Sequence, residues 1–354
     1  LAANFCVKMK RPRLKDIAEA LQISIATVSR ALKNHPDISD QLKLRVRQLA
    51  DDLNYEPNNM ALQFKAQRSK CIAVVSPRIV HYYFSTILKG ILQEAEKQGY
   101  QVAVCETGHE LIREVKHIKA LTQGLNDGLL ICVGNNTTDI RHLEKLQKQG
   151  IPFVLFDKDV SRIKAPKVVV DDYTGAMTAV EHLIAQGYRH IAHLQDNGVA
   201  HTSQKRLKGY LSALKKHRIP YDESLVLQLN DISIAAGYEA VEQMIRSGKK
   251  MDAVFAITDE LAIGAMKAAM AHGIAVPQDF GVVGFSNWQI ATLVTPSLST
   301  VAQPGIELGQ TATKMLIQMI ENEQSAEEYH LTRILKTQLI VRDSSFRKRV
   351  VVNT

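Results

Sequence analysis

The residues that offer chemistry in this chain are few, and they are badly spaced for catalysis. There is no G-x-x-x-x-G-K-[ST] loop and no G-x-G-x-x-G turn after a strand, so the backbone cradles that hold nucleotide phosphates are missing. GFSNW (284–288) lacks the spacing of a G-x-S-x-G nucleophile elbow. His190 and His193 straddle one strand-like run with no ligand partner at useful spacing. Cys6, Cys71, Cys105 and Cys132 form no C-x-x-C pair and read as free buried thiols. We therefore expect no enzyme activity, no metal and no cofactor. What remains is LQISIATVSRAL (21–32), small and apolar until it reaches Ser29 and Arg30. It is either one buried helix or a helix end to be pushed against something charged.

The charge distribution bears on that choice. The 354 residues carry a net +8. Residues 1–70 hold 13 Lys/Arg against 7 Asp/Glu, Arg347-Lys348-Arg349 add three more, and the long middle is nearly neutral. A small basic head on a neutral body suits a partner that is a polyanion. Hydrophobic content of 45% and charged content of 23% are ordinary for a globular protein. No apolar run approaches the roughly 20 residues of a membrane span. In LAANFCVKMK the basic residues follow the apolar ones, the reverse of a secretory signal. A cytoplasmic protein without membrane contact is expected.

Helical patterns fill residues 13–54. LKDIAEAL pairs Ile17 with Leu21 at i, i+4, and IATVSRAL, after the N-cap candidate Ser24, pairs Val28 with Leu32. After Ser39, the run DQLKLRVRQLADDLNY carries a stripe of Leu42, Val46, Leu49 and Leu53. Three residues, Gln22 to Ser24, separate the first two patterns, which suits a helix-turn-helix. Pro57 then breaks the pattern, and the next eight residues are a short helix or a linker.

From residue 71 strands and helices alternate. CIAVVS, YQVAVCET, DGLLICVG and PFVLFDK read as strands, and STILKGILQEAEKQG as a helix closing on Gly99. After VVVDDYTG (168–175) the rhythm restarts with RHIAHLQ, SLVLQL, DAVFAIT and FGVVGFS. The fold class is α/β: a helix-turn-helix headpiece and two doubly wound parallel-sheet lobes, with a ligand cleft at the strand carboxyl ends.

The motifs RLKDIAEALQISIATVSRALKNHPDISDQLKLRVRQLADDLNYEPN, DDYTGAMTAVEHLIAQGYRHIAHL, RLKGYLSAL, ITDELAIGAMKAAMAHGIAVPQDFGVVGF and PSLSTVAQP resemble the LacI/GalR family of bacterial regulators, over nearly all of 13–342. The resemblance implies a periplasmic-binding-protein-like (type I) body, a homodimer, double-stranded operator DNA as partner and a small effector. Ile25, Ala26 and Arg30 fall where the family reads bases. Arg30 can grip guanine O6 and N7, whereas Ile25 and Ala26 can sense only methyl groups and shape. Ser24, Thr27, Ser29 and Asn34 suit phosphate oxygens. PNNMALQFK matches the hinge helix, with Asn58, Ala61 and Phe64 in the minor groove. Phe64 stands where the family has a wedging leucine; alternatively it packs on the body and Leu62 or Met60 serves.

In the cleft the resemblance points to Tyr83, Phe84, Asp157, Arg206, Asp259, Ser286 and Asn287. Tyr83 and Phe84 either stack on the ligand or belong to the core. The family usually has Asn-Asp where this chain has Thr258-Asp259, and an acid where it has Ser286. Keeping Arg206 while losing that acid favours a sugar acid or sugar phosphate over a neutral sugar.

The expected division is a headpiece at 12–57, a hinge and linker at 58–69, a first lobe at 70–169 plus 302–329, and a second at 170–301 plus 330–342. The expected function is a DNA-binding transcriptional regulator, a repressor, on a near-palindromic operator, controlled by a carbohydrate-like effector. A periplasmic-type sugar-binding module without a DNA role is the alternative, and residues 13–64 argue against it.

Overall fold

The computed structural model describes residues 12–55 and 68–347, apart from 125, 136, 161, 198–200 and 323–330. The chain divides into two compact units at Gln67/Arg68.

In the first unit, α1 (Leu14–Leu21), α2 (Ile25–Leu32) and α3 (Asp40–Asp52) surround a small core. The Asp16 carboxylate accepts the Arg13 backbone N–H at 2.7 Å and so closes the α1 start. Gln22 turns the chain in left-handed conformation (φ 55°). The Ser24 hydroxyl caps α2 by accepting from Thr27 N–H at 3.0 Å. Ile17, Ala18, Val28, Ala31, Val46 and Ala50 are the buried residues. Leu21, Leu32, Leu42 and Leu49 are half-buried against this core, whereas Leu53, lying beyond the last residue of α3, is 38% exposed. Ala31 and Ala50 take the interior places because a three-helix core this small admits close approach only at small side chains.

The second unit holds two α/β lobes. The first contains β1 (Cys71–Ser76), β2 (Gln101–Glu106), β3 (Gly128–Ile131), β4 (Phe153–Phe156), β5 (Lys167–Val170) and β11 (Thr332–Leu335). The described strands form an all-parallel sheet in the order β11-β5-β4-β3-β1-β2. The second contains β6 (Ile191–Asp196), β7 (Val226–Leu229), β8 (Ala253–Ala256), β9 (Gly281–Ser286), β10 (Ser299–Ala302) and β12 (Gln338–Ile340), ordered β12-β10-β9-β8-β6-β7, with only β12 antiparallel. Most strands are buried on both faces, which is why they read as continuous apolar runs.

The lobes repeat one another in detail. Asp127 receives the backbone N–H groups of Ser69 and Lys70 at the entry to β1. Asp252 receives those of Arg189 and His190 at the entry to β6. In each lobe two helices pack through reciprocal glycines. In the first, α4 (Tyr82–Lys97) meets α11 (Gly305–Glu321). A Cβ on Gly90 would lie 2.1 Å from the Ile306 carbonyl oxygen, and one on Gly309 2.1 Å from that of Ile87. In the second, α9 (Ile234–Arg246) meets α10 (Asp259–Ala271) through Gly237 and Gly264 in the same manner.

One boundary read from the sequence needs correction. Residues 330–342 were assigned to the second lobe, yet Thr332–Leu335 pair with Lys167–Val170 in the first sheet. The buried strand β5 would otherwise present unpaired backbone groups, and β11 closes that edge. Only from Gln338 does the chain join the second lobe. That lobe continues past 342: Ser344 and Ser345 are fully buried, and the Arg347 guanidinium lies 3.8 Å from the Tyr188 ring centre. Among the described residues no helix is long and apolar enough to cross a membrane. Cys71, Cys105 and Cys132 are free.

Candidate nucleic-acid interface and interlobe cleft

On α2 the Val28 and Ala31 face is buried, while Ile25, Ala26 and Arg30 are exposed. Ile25 is 48% exposed at the start of α2. Arg30 makes no side-chain hydrogen bond or ion pair with the described residues, so its five donors stay open. The Ser24 and Thr27 hydroxyls lie 2.8 Å apart and Ser29 is half-buried. Asn34 has left-handed backbone (φ 58°), and its side-chain oxygen accepts from the Arg47 guanidinium, leaving its amide N–H groups for other partners. Asn58, Ala61 and Phe64, with Met60 and Leu62, lie outside the described residues.

In the second unit a cavity of about 260 Å³ lies between the lobes. Strand direction explains its lining, because parallel strands deliver their carboxyl ends to one side of each sheet. Arg78, His109, Asn135 and Lys158 follow β1, β2, β3 and β4. Asp196, Asp231, Thr258, Ser286 and Gln303 end or follow β6, β7, β8, β9 and β10.

Of the seven cleft residues chosen from sequence, five line this cavity: Tyr83, Phe84, Asp157, Arg206 and Ser286. Tyr83 and Phe84 belong to cleft and core together. Tyr83 is 5% exposed within the first-lobe core, and its hydroxyl has no hydrogen-bond partner among the described residues.

Asp259 and Asn287 stand behind the cavity lining. Asp259 is 2% exposed; its carboxylate accepts from Trp288 N–H at 2.6 Å and from the Thr300 hydroxyl at 2.5 Å. It therefore braces the β9–β10 turn, where Ser286 (φ 122°) and Asn287 (φ 53°) both hold left-handed-region backbone. Asn287 gives its N–H to the Thr300 hydroxyl and accepts from Arg342 Nη2 at 2.7 Å. Thr300 and Arg342 were not visible as partners, since the turn that assembles them is a tertiary feature.

Sequence reading also missed Asp172 and Lys158. Asp172, in the first turn of α7 (Asp172–Ala185), is 1% exposed and meets Arg206 of α8 (His201–Lys216) at 2.7 Å. Arg206 Nη1 also donates to the Ile257 carbonyl oxygen at 2.6 Å, and its guanidinium lies 3.8 Å from the Phe285 ring centre. The doubled acid in VDDYTG was the available signal: Asp171 caps the helix through Thr174 N–H, which leaves Asp172 without a local role. Burial pushes the Asp172 carboxyl up to about 6 despite the opposing pull of Arg206, and Asp157 is also raised by burial. The His109 imidazole is pushed down to about 4, by burial first and then by the positive fields of Lys158 and Arg78. The site is thus a polar cleft partly open to solvent. Among the described residues no group of three or more potential metal ligands occurs.

An arginine-bearing helix exposed on a three-helix unit, in one chain with a two-lobed binding body, defines a ligand-responsive DNA-binding regulator. Comparison with protein families agrees. Residues 13–58 match the bacterial regulatory proteins of the lacI family, and residues 69–340 match the periplasmic binding proteins and sugar binding domain of the LacI family. The chain belongs to the LacI family of transcriptional regulators. It is 31% identical over 336 residues to the HTH-type transcriptional regulator DegA of Bacillus subtilis (strain 168), covering 93% of this chain and 97% of DegA. The lac repressor dimer bound to operator and the anti-inducer ONPF shares its fold, with a TM-score of 0.83 at 24% identity, covering 96% of this chain and all of that one. A LacI-family regulator from Enterococcus faecium with bound ribose has a TM-score of 0.67 at 29% identity, covering 78% of this chain and all of that one.

Proposed function

We propose that this regulator acts in the cytoplasm as a homodimeric repressor on a near-palindromic operator, with a small carbohydrate-like effector in the interlobe cleft setting its DNA affinity. Arg30 reads a guanine in each half-site, and Ile25 and Ala26 press on thymine methyls. Ser24, Thr27, Ser29 and the Asn34 amide hold phosphates. Asn58, Ala61 and the wedge Phe64 open the minor groove at the centre.

The observation that carries this reading is the pairing of two features in one chain. Arg30 stands exposed and unpaired on α2, and a polar cavity with a buried arginine collects the strand ends of both lobes. Arg30 has no packing role in its own unit, and Arg206 lines the cavity as well as joining two helices. Effector binding that favours one separation of the lobes couples to the headpieces with about 1–3 kcal/mol, the usual size of two-site coupling.

Selection of DNA from a random library with the full chain, followed by binding to the enriched duplex with and without ribose, glucose, galactose and their acids and phosphates, tests it. The expected result is an inverted repeat whose affinity changes by about 5- to 150-fold with one of these ligands. Failure to enrich any repeat sinks the reading.

A further inference from the structure

The charges of the cleft are unevenly compensated. Arg206, the residue that sequence marked as the charged anchor, already has its counter-ion in Asp172. Lys158 does not. Its side chain is buried, and its ammonium donates to the Val133 carbonyl oxygen at 3.0 Å and to the Asn135 side-chain oxygen, both neutral. Among the described residues no carboxylate lies within ion-pair distance of it. Burial raises the carboxyl of its chain neighbour Asp157, and the Lys158 charge opposes that rise from beyond ion-pair distance, while Cys132 Sγ lies 3.8 Å from the carboxylate. Glu114, under the same wall, is engaged by Gly134 N–H at 2.8 Å and by His142 at 2.8 Å.

An ammonium has three donors, and two are used here. A buried cation whose direct partners are all neutral is costly, and an anion placed within contact of it offsets that cost. Arg78 and His109 line the same first-lobe wall. Arg78 is exposed and makes no side-chain hydrogen bond with the described residues. The His109 imidazole is lowered first by burial and then by the charges of Lys158 and Arg78, which stand at the same corner. The second-lobe wall is richer in carboxylates, Arg206 there being paired with Asp172. It carries Asp196, Asp231 and Glu260, of which Asp196 accepts from Asn135 at 3.2 Å and Glu260 lies 3.5 Å from His81. Such acceptors suit hydroxyl groups. The cavity of about 260 Å³ is small against the usual range of about 300–1,000 Å³, which suits one sugar ring.

We propose that the effector is a monosaccharide-sized molecule bearing a carboxylate or phosphate, received by Lys158 on the first-lobe wall while its hydroxyls face the acids of the second lobe. This rests on the cleft being the effector site, as argued above.

The test uses the full chain and matched ligand pairs: galactose with galacturonate, glucose with glucuronate, and glucose and ribose with their terminal phosphates. Calorimetric titration is expected to show the charged member of one pair bound at least about tenfold more tightly, as a charge-assisted contact to a buried ammonium should give. Lys158→Met should abolish that preference and Lys158→Arg should keep it. Carboxylate and phosphate pairs separate the two sources of charge. A neutral member bound as well as its charged partner overturns this proposal and leaves the regulator reading intact. A charge preference that survives Lys158→Met overturns the assignment of Lys158. If Lys158→Met does not fold, Lys158→Gln takes its place, and the wild-type pairs still decide the charge. If no member of any pair binds, the carbohydrate-like effector itself falls, and this proposal with it.

Discussion

Arg206 and Asp172 share a single oxygen: Nε at 2.8 Å and Nη2 at 2.7 Å both meet Asp172 Oδ1, with both side chains buried. The other carboxylate oxygen has no partner among the described residues. The guanidinium therefore holds the start of α7 to α8 and at the same time lines the cleft.

Two consequences can be separated by mutation. Arg206→Ala strands a buried carboxylate and is expected to cost about 3–5 kcal/mol of stability, besides removing effector binding. Arg206→Met combined with Asp172→Leu should recover most of that stability, because an ion pair is replaced by apolar groups of similar volume. Effector binding should stay lost in the double variant. Thermal unfolding and ligand titration on both proteins check this. Recovered binding would show that Arg206 only packs.

Arg30 is exposed and unpaired, so its removal should leave folding untouched. Arg30→Ala is expected to lose about 1–3 kcal/mol of discrimination per half-site and to relax specificity at one base position. Fluorescence anisotropy on the selected operator and on its guanine-substituted variants measures both effects. Effector titration should be unchanged.

Asp259 gives a pH signature. Its carboxyl is pushed up to about 6, by burial first and against the hydrogen bonds from Thr300 and Trp288. A raised acid stabilises the folded state fully below its unfolded value, and that contribution is lost as pH rises through about 6. Between pH 7 and 4 the wild type should thus gain on Asp259→Asn by up to about 3 kcal/mol. Asp172 acts in the same sense.

His193 acts in the opposite sense. It is stacked between Tyr210 and Phe255, at 5.1 and 5.0 Å, and burial pushes it down to about 4. A buried neutral imidazole favours folding above its unfolded value near 6.5, and that advantage disappears as pH falls toward 4. His193→Phe should therefore close on the wild type in melting temperature as pH drops over this window. Parallel melting curves at pH 7, 6, 5 and 4 decide both cases. A wild-type-to-variant gap that does not vary with pH would count against the assigned groups.

Gly264 tests the helix contact behind the cleft. A Cβ there would lie 2.1 Å from the Ile234 carbonyl oxygen, which is backbone and cannot rotate away. Gly264→Ala should force α9 and α10 apart and destabilise the second lobe by about 1–3 kcal/mol, the common cost of overpacking. Denaturant unfolding of the full chain, followed by Trp288 fluorescence, measures it.

Much of this molecule was legible from local pattern. Continuous apolar runs ending in polar residues mark parallel strands, and Ser24 and Ser39 cap the helices that follow them. Arg30 stands out because an exposed arginine amid small residues has no packing role. The cleft was only partly legible. Tyr83, Phe84, Asp157, Arg206 and Ser286, to which the family resemblance points, all line the cavity. Asp259 and Asn287 occupy equivalent positions in the sequence, yet Thr300, Trp288 and Arg342 engage their polar groups.

Sequence by itself determined the order of the elements, the two-fold repetition of the body and the charged helix of the headpiece, because these depend on neighbours within a few residues. Tertiary structure alone decided that Thr332–Leu335 close the first sheet, that Asp172 neutralises Arg206, and that Lys158 is buried with neutral oxygens as its direct partners. Each of these depends on which distant groups share a low-dielectric space. A lysine after an aspartate at a strand end looks the same in sequence whether it reaches water or the cleft; its burial beside two neutral acceptors makes it the charge that a ligand must answer.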